Sequence, residues 1–170
     1  MNPSIQTAAL PKAFAGALLC AALLPVSADA ANLSQPLRFF EGRTEMVSVI
    51  KVIMKRPYRS HTVGAGRILP DGSLALIQQI FDEGQAPQQR RWSIRQSGPG
   101  HFAGTMTEAV GPVIVDELRG GYRFKFRMKG HLAVEQWLIP LPGGTSARTS
   151  LTVRKLGMTV ASSVGTIRKI

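Results

Sequence analysis

The sequence has little of the residues on which covalent cross-links and metal sites depend. It contains one cysteine and three histidines among 170 residues. A single cysteine excludes an intramolecular disulfide, and with so few histidines it also argues against a structural zinc site. Acidic residues are scarce too, because 10 of them stand against 21 lysines and arginines and leave a formal net charge of +11. The chain length fits one domain, and a hydrophobic fraction of 44% is enough for a core.

Motifs that mark common catalytic centres are also absent. The sequence contains no G-x-S-x-G nucleophile elbow, no zinc-binding H-E-x-x-H and no phosphate-binding P-loop. The three histidines lie far apart and outside any carboxylate motif. The acidic pairs Asp82-Glu83 and Asp116-Glu117 are adjacent, so on a strand their side chains point to opposite faces. These features favour a binding protein over an enzyme, and we expect no cofactor and no metal.

The first 30 residues have the features of a secretory signal peptide. Lys12 precedes the uncharged apolar stretch Ala13–Leu24, and Ala28-Asp29-Ala30 matches a small-x-small cleavage site. About a dozen apolar residues are too few to cross a bilayer, which requires about 20. We therefore predict a signal peptide at residues 1–30, in preference to a buried N-terminal helix, and one domain at residues 31–170.

Export predicts a periplasmic or secreted protein. Leu19 precedes Cys20 and apolar residues follow it, a context that argues against lipid anchoring. Cleavage would remove this cysteine, and it would also remove one charge of each sign with Lys12 and Asp29. The net charge of +11 would therefore belong entirely to the exported domain.

The remaining sequence predicts an all-β fold. Turn signals such as Pro70-Asp71-Gly72 and Gly120-Gly121 recur every 10 to 14 residues and separate stretches rich in Val, Ile, Thr, Phe and Tyr. Strands are predicted at Met46–Met54, His61–Leu69, Leu74–Phe81, Arg90–Arg95, Phe102–Thr107, Val113–Leu118, Tyr122–Lys129, Leu132–Ile139, Ala147–Arg154 and Met158–Ile167. Short strands joined by tight turns favour one antiparallel up-and-down, lipocalin-like barrel of about eight to ten strands. Phe39-Phe40-Glu41 is predicted to form an entry segment that covers one end.

One predicted strand alternates strictly between apolar and basic residues. Tyr122, Phe124, Phe126 and Met128 share one face, and the opposite face carries Arg123, Lys125, Arg127 and Lys129. We expect a buried aromatic face and an outer face with four cations. Other strands, such as Met46–Met54 and Leu74–Phe81, are apolar on both faces, which indicates a second packing surface such as a ligand, a covering segment or a partner.

An ordered set of short motifs resembles a bacterial family, domain of unknown function 3833. The matching elements are F-F-E-G at 39–42, R-R-W-x-I at 90–94, G-H-F-x-G-T at 100–105, E-x-W at 135–137, K-L-G-x-x-V at 155–160 and I-R-K at 167–169. Family members often have an acidic pair where this chain has Val134-Glu135-Gln136, and many have lipoprotein signals. The resemblance implies a lipocalin-like barrel in the cell envelope, and the family's genomic neighbourhood with fatty-acid cyclopropanation enzymes implies a lipid-related role.

These observations predict a binding protein for a lipid-like or anionic amphiphilic ligand held in the barrel. Arg90 or Arg91 is expected to meet a carboxylate or phosphate, since guanidinium binds these groups bidentately. The residues expected to form the apolar wall are Trp92, Tyr122, Phe124, Phe126 and Trp137.

Two alternatives remain open at this stage. In the first, a closed barrel contacts an anionic membrane or lipopolysaccharide surface through Arg123, Lys125, Arg127 and Lys129. In the second, the protein is an enzyme acting on a lipid-like substrate. Export argues against nucleic acid as a partner, and so does the strand number, which exceeds that of a five-stranded oligonucleotide-binding barrel.

Overall fold

A computed structural model describes residues 36–170, which form one short helix and ten strands. The elements are α1 Pro36–Phe39, β1 Gly42–Val52, β2 Tyr58–Ile68, β3 Leu74–Asp82, β4 Gln88–Gly98, β5 His101–Met106, β6 Val113–Leu118, β7 Gly121–Met128, β8 Leu132–Pro140, β9 Ser146–Lys155 and β10 Met158–Lys169. Each strand pairs antiparallel with its sequence neighbours, and β1 pairs with β10 to close the barrel.

The structure confirms the predicted fold class. All ten predicted strands are present, and β6 has the predicted bounds at both ends. The largest difference is at β1, which begins at Gly42 rather than Met46. The predicted signal peptide at residues 1–30 lies outside the described residues.

The up-and-down order gives the barrel two different ends. The β1–β2, β3–β4, β5–β6, β7–β8 and β9–β10 turns lie at one end, which we call the open end. The four remaining turns lie at the other end together with α1, and we call it the closed end. Leu37 and Phe40 are buried there and belong to the hydrophobic core. This segment therefore covers one end of the barrel, as the sequence predicts.

The barrel wall has a bulky half and a small half. Strands β3 to β8 direct large side chains inward, and Trp92, Phe124 and Phe126 are each at most 8% exposed. Strands β2 and β10 instead direct mostly small residues inward, such as Ser60, which is 3% exposed. Strand β1 alternates small inward residues such as Ser48, which is 4% exposed, with the larger Met46 and Ile50. On β1 the side chains of Val47, Val49 and Lys51 lie outside and alternate with the inward positions. This half of the wall leaves the interior incompletely filled.

The closed end depends on a close approach between α1 and β2. An added Cβ at Gly66 would lie 2.0 Å from the carbonyl oxygen of Phe40. The Phe40 ring meets Phe124 edge to face, with ring centroids 6.5 Å apart. Only glycine at position 66 allows the segment to lie this deep, because the obstructing atom belongs to the backbone and cannot rotate away.

Gly66→Ala is expected to displace Phe40 and to lower the free energy of unfolding by about 1–3 kcal/mol, the usual cost of overpacking. Gly98→Ala is the matched control, because an added Cβ there meets nothing within 4 Å and the backbone φ is not positive. Urea unfolding of both variants measures the difference. Equal stabilities for the two variants would show that Phe40 is not held against β2.

Candidate functional site

The interior contains two adjoining cavities. The inner chamber has a volume of about 80 Å³ and is lined by core residues such as Leu74, Trp92 and Phe124. The outer chamber, on the open-end side, has a volume of about 260 Å³ and is lined by residues such as Tyr58 and Phe126. Four residues line both chambers, namely Met46, Arg90, Leu151 and Ser163. The outer chamber is close to the lower limit of small-molecule sites, which is about 300 Å³.

The small half of the wall creates this space. Ser48, Ser60 and Thr62 line the outer chamber from β1 and β2, and Ala161 and Ser163 line it from β10. None of these side chains is long enough to reach the opposite wall. The chambers therefore lie between short side chains on β10, β1 and β2 and large ones on the facing strands.

Trp92 lines the inner chamber and is held by three contacts. Its indole Nε1 donates a hydrogen bond to Oε1 of the buried Gln78, at 2.7 Å. Its ring meets Phe124 at a centroid distance of 6.4 Å and Phe126 at 5.8 Å, both edge to face. Together with Phe40, these rings form a continuous row from the closed end to the outer chamber.

Arg90 supplies a cation at the junction of the two chambers. It faces inward because it alternates with Arg91 and shares its face with Trp92. Its Nε donates to both carboxylate oxygens of Glu108, each at 3.1 Å. Within residues 36–170 the two terminal nitrogens of Arg90 make no hydrogen bond. Glu108 therefore fixes the guanidinium while leaving its outer donors available.

Asp82 adds a carboxylate to the outer chamber. Its Oδ1 is buried, and no group in the described part of the chain donates a hydrogen bond to it. A buried acceptor without a donor costs about 1–3 kcal/mol. The outer chamber thus presents donors on Arg90 and an acceptor on Asp82, against otherwise mostly apolar and hydroxyl-bearing walls.

Three residues predicted to line the site lie away from both chambers. Arg91 points outward and is exposed, because it alternates with the buried Trp92. Trp137 also points outward, since it alternates with the buried Leu138, and its Nε1 donates to Glu135 at 3.1 Å. Tyr122 is buried, but it is absent from the linings of both chambers. Burial raises the pKa of its hydroxyl.

The other predicted pocket residues are brought together. Arg90, Trp92 and Phe124 line the inner chamber, and Arg90 and Phe126 line the outer one. Sequence reasoning missed the polar residues Gln78, Asp82, Glu108 and Ser163. Gln78 could have been recognised from the sequence, because it is a polar residue at a position where the alternating pattern of the strand expects an apolar, inward side chain. Glu108 lies in the β5–β6 turn, where no periodicity applies.

The predicted outer cations do not act as a uniform row. Arg123 donates to Asp116 at 3.0 Å and lies over the Trp137 ring at 5.9 Å. His101 Nδ1 lies 3.1 Å from the same carboxylate. The Arg123 guanidinium, and less strongly His101, hold the pKa of Asp116 below its usual value. Lys125, Arg127 and Lys129 are exposed, and Lys129 lies in the β7–β8 turn.

Residues 36–170 contain neither a cluster of metal-binding side chains nor a helix able to cross a membrane. In this range no three histidine, cysteine or acidic side chains lie close enough together to hold a metal ion. No helix of the described chain has both the length and the apolar character that crossing a membrane requires.

The fold and interior define a lipocalin-like β-barrel with a divided cavity. One similar solved structure is an S-type phycobiliprotein lyase from Guillardia theta, with a TM-score of 0.63, 7% identity, and coverage of 79% of this chain and 90% of that one. Another is a protein of the domain of unknown function 3598 family from Nostoc punctiforme, with a TM-score of 0.58 and 12% identity. That match covers 80% of this chain but 49% of the other, so the present chain spans about half of its length.

These likenesses show the shared fold and nothing finer. No protein-family model matches the chain, and no curated protein matches its sequence. The resemblance to the domain of unknown function 3833 family therefore stays a prediction.

Arg123→Gln is expected to raise the pKa of Asp116 and to lower the free energy of unfolding at neutral pH by about 0.5–1 kcal/mol. A carboxyl group whose pKa is lower in the folded state than in the unfolded state stabilises the fold at pH values above its unfolded pKa of about 3.9. This stabilisation is lost as the pH falls through the folded-state pKa. The difference from the parent protein should therefore shrink in acid. Urea unfolding against pH measures it, with Lys125→Gln as the control on the same face. An equal effect of both substitutions would contradict the ion pair.

Proposed function

We propose that the protein binds a small lipid-like amphiphile in the divided cavity and does not act on it chemically. The observation that carries this proposal is an inward arginine, fixed by Glu108, at the junction of two chambers. A barrel that served only as a closed scaffold would gain stability from filling this space. Instead, β2 and β10 direct mainly serine, threonine and alanine toward it, and β1 adds Ser48 between its larger inward residues.

The lining supports an amphiphilic ligand. An apolar chain fits against Met46 and Leu151, which line both chambers with Arg90, and against Phe126, which lines the outer chamber. The terminal nitrogens of Arg90 are placed to donate to a carboxylate or phosphate oxygen of the head group. Asp82 favours a head group that also carries a hydrogen-bond donor, such as a hydroxyl.

The charges near the outer chamber limit which head groups the cavity can bind. Glu108 offsets part of the positive charge of Arg90, and Asp82 adds a negative group. A highly charged anion would gain little net attraction there. A head group with one negative charge and a donor therefore fits best, and the predicted export would place the protein beside membrane lipids that have such head groups.

The positions of the histidines support binding over catalysis. His61 pairs with Glu45 at 2.9 Å and His101 with Asp116 at 3.1 Å, and none of these four residues lines either chamber. A general base for a bound ligand would have to lie within hydrogen-bond reach of it. The likeness to a lyase is a likeness of fold at 7% identity and adds no catalytic group to this cavity.

Arg90→Gln is expected to weaken binding of a fluorescent fatty acid about 10- to 100-fold, the value of a charge-assisted hydrogen bond. Arg91→Gln removes the same charge from the adjacent outward position and should leave the affinity unchanged. The affinity for the corresponding fatty alcohol should be similar in both variants. Fluorescence titration of the parent and both variants in vesicle-free solution measures the affinity for each of the two ligands. Equal losses of fatty-acid affinity in the two variants would exclude Arg90 as the head-group contact.

Ser163→Phe is expected to fill the junction of the chambers and to abolish binding of both fatty acid and fatty alcohol. Thr166→Phe, which adds a phenyl ring on the outer face of β10, is the control. Both variants are first compared with the parent by thermal unfolding, so that loss of binding is scored only for folded protein. Retained affinity in folded Ser163→Phe would place the ligand outside the barrel.

A further inference from the structure

The open end carries an unusual group of exposed apolar side chains. Met54 is 99% exposed, Leu156 82%, Met158 68% and Ile53 62%. Met54 and Leu156 also have positive φ values of 60° and 49°. This backbone region disfavours large side chains and is normally occupied by glycine or asparagine. Two turn tips therefore bear large apolar residues that gain no burial within the described chain.

These residues form one continuous surface. Because β1 pairs with β10, the β1–β2 and β9–β10 turns lie side by side, and the amide of Ile53 donates to the carbonyl of Val160 at 2.9 Å. The β7–β8 turn follows on the other side, since Leu132 pairs with Lys155. We call residues 51–57, 129–131 and 154–158 the basic rim.

The basic rim has charge of one sign only. It contains six exposed cations, Lys51, Lys55, Arg56, Lys129, Arg154 and Lys155, and no acidic residue. The acids nearest this end of the barrel, Asp82, Glu83 and Glu108, lie at the other two turns. Half of the open end is therefore basic and apolar, and the other half carries the carboxylates.

We propose that the basic rim docks on an anionic lipid bilayer. The tips of Met54 and Leu156 would enter the interfacial region, and the flanking cations would meet lipid phosphates. Met54 and Leu156 are almost fully exposed at the tips of two separate turns, which suits a fluid interface that needs no matching shape. An acidic protein would match the cations but would leave the apolar tips without a complementary surface.

This proposal goes beyond ligand binding and does not depend on it. It places the membrane contact at the open end rather than along β7, where Arg123 is paired with Asp116, and only Lys129 of the β7 cations belongs to the basic rim. Docking in this orientation turns the open end, and with it the outer chamber, toward the bilayer.

Vesicle sedimentation tests the docking. The protein is expressed from the full sequence, and all variants are compared with a parent of the same N-terminus, so any retained part of residues 1–30 contributes equally. Phosphatidylcholine vesicles with and without phosphatidylglycerol are the probes, at low and high salt. The parent should bind the anionic vesicles more tightly, and high salt should weaken that binding.

Two pairs of variants separate the basic rim from the total charge. Lys55→Gln/Lys155→Gln should weaken anionic-vesicle binding about 25-fold, at about fivefold for each cation near the surface. Arg67→Gln/Arg119→Gln removes equal charge from the closed end and should change binding less than about twofold. Met54→Asn/Leu156→Asn, which suits the positive φ at both positions, should weaken binding at least about tenfold. Ile170→Asn, at a 57% exposed site of the closed end, is its control.

Failure of the parent to bind anionic vesicles more tightly than neutral ones would overturn the proposal, whatever the variants do. Equal weakening by the rim and closed-end charge pairs would also overturn it, since total charge would then suffice. Neither result touches the affinity for fatty acid in vesicle-free solution, so the two proposals fail independently.

Discussion

The interior of the barrel depends on the position of Trp92. Its indole N–H needs an acceptor once it is buried, and Gln78 on the neighbouring strand supplies one at 2.7 Å. This bond fixes the ring plane so that its faces and edges meet Phe124 and Phe126. The row of rings fills the bulky half of the interior toward the closed end. The ring row thus sets where the core ends and where the chambers begin.

A cavity next to such a core persists only if the facing wall cannot move inward. Here that wall is β10, β1 and β2, which are paired along nine or more residues at each shared edge. Closure of the barrel leaves no free edge that could slide, and the small inward residues offer no side chain to extend. The side chains of Val47 and Val49 lie outside by alternation and cannot fill the space. Backbone pairing therefore maintains a space that side-chain packing alone would tend to close.

Much of this architecture could be predicted from the sequence, because its signals are local. Turn residues and period-two patterns located all ten strands, and the alternation in β7 assigned its inner and outer faces correctly. The order Arg90, Arg91, Trp92 was sufficient to select Arg90 rather than Arg91 as the inward arginine, because a buried tryptophan places the residue two positions before it on the same inward face. Trp137 was predicted to point inward, but Gln136 shares the inward face with Val134 and Leu138 instead. A polar inward residue beside an outward tryptophan reverses the usual pattern.

The remaining features depend on contacts between distant parts of the chain. Glu108 approaches Arg90 from a turn 18 residues away, and Asp116 pairs with Arg123 only through the β6–β7 register. Neither spacing follows from periodicity.

The distribution of charge is a further property of the closed topology. Three turns that are far apart in sequence become neighbours only because β10 pairs with β1, and their cations then form one surface. The carboxylates at Asp82, Glu83 and Glu108 fall on the opposite half of the same end. An anionic surface would attract the first half and repel the second, so in the proposed docking the barrel axis tilts toward the basic rim. In that tilt the pair of Arg90 and Glu108 lies on the side away from the closest lipid contact. An incoming amphiphile would then enter the outer chamber from the open end, along its small-residue wall and with its apolar part first, and Arg90 would meet its head group last.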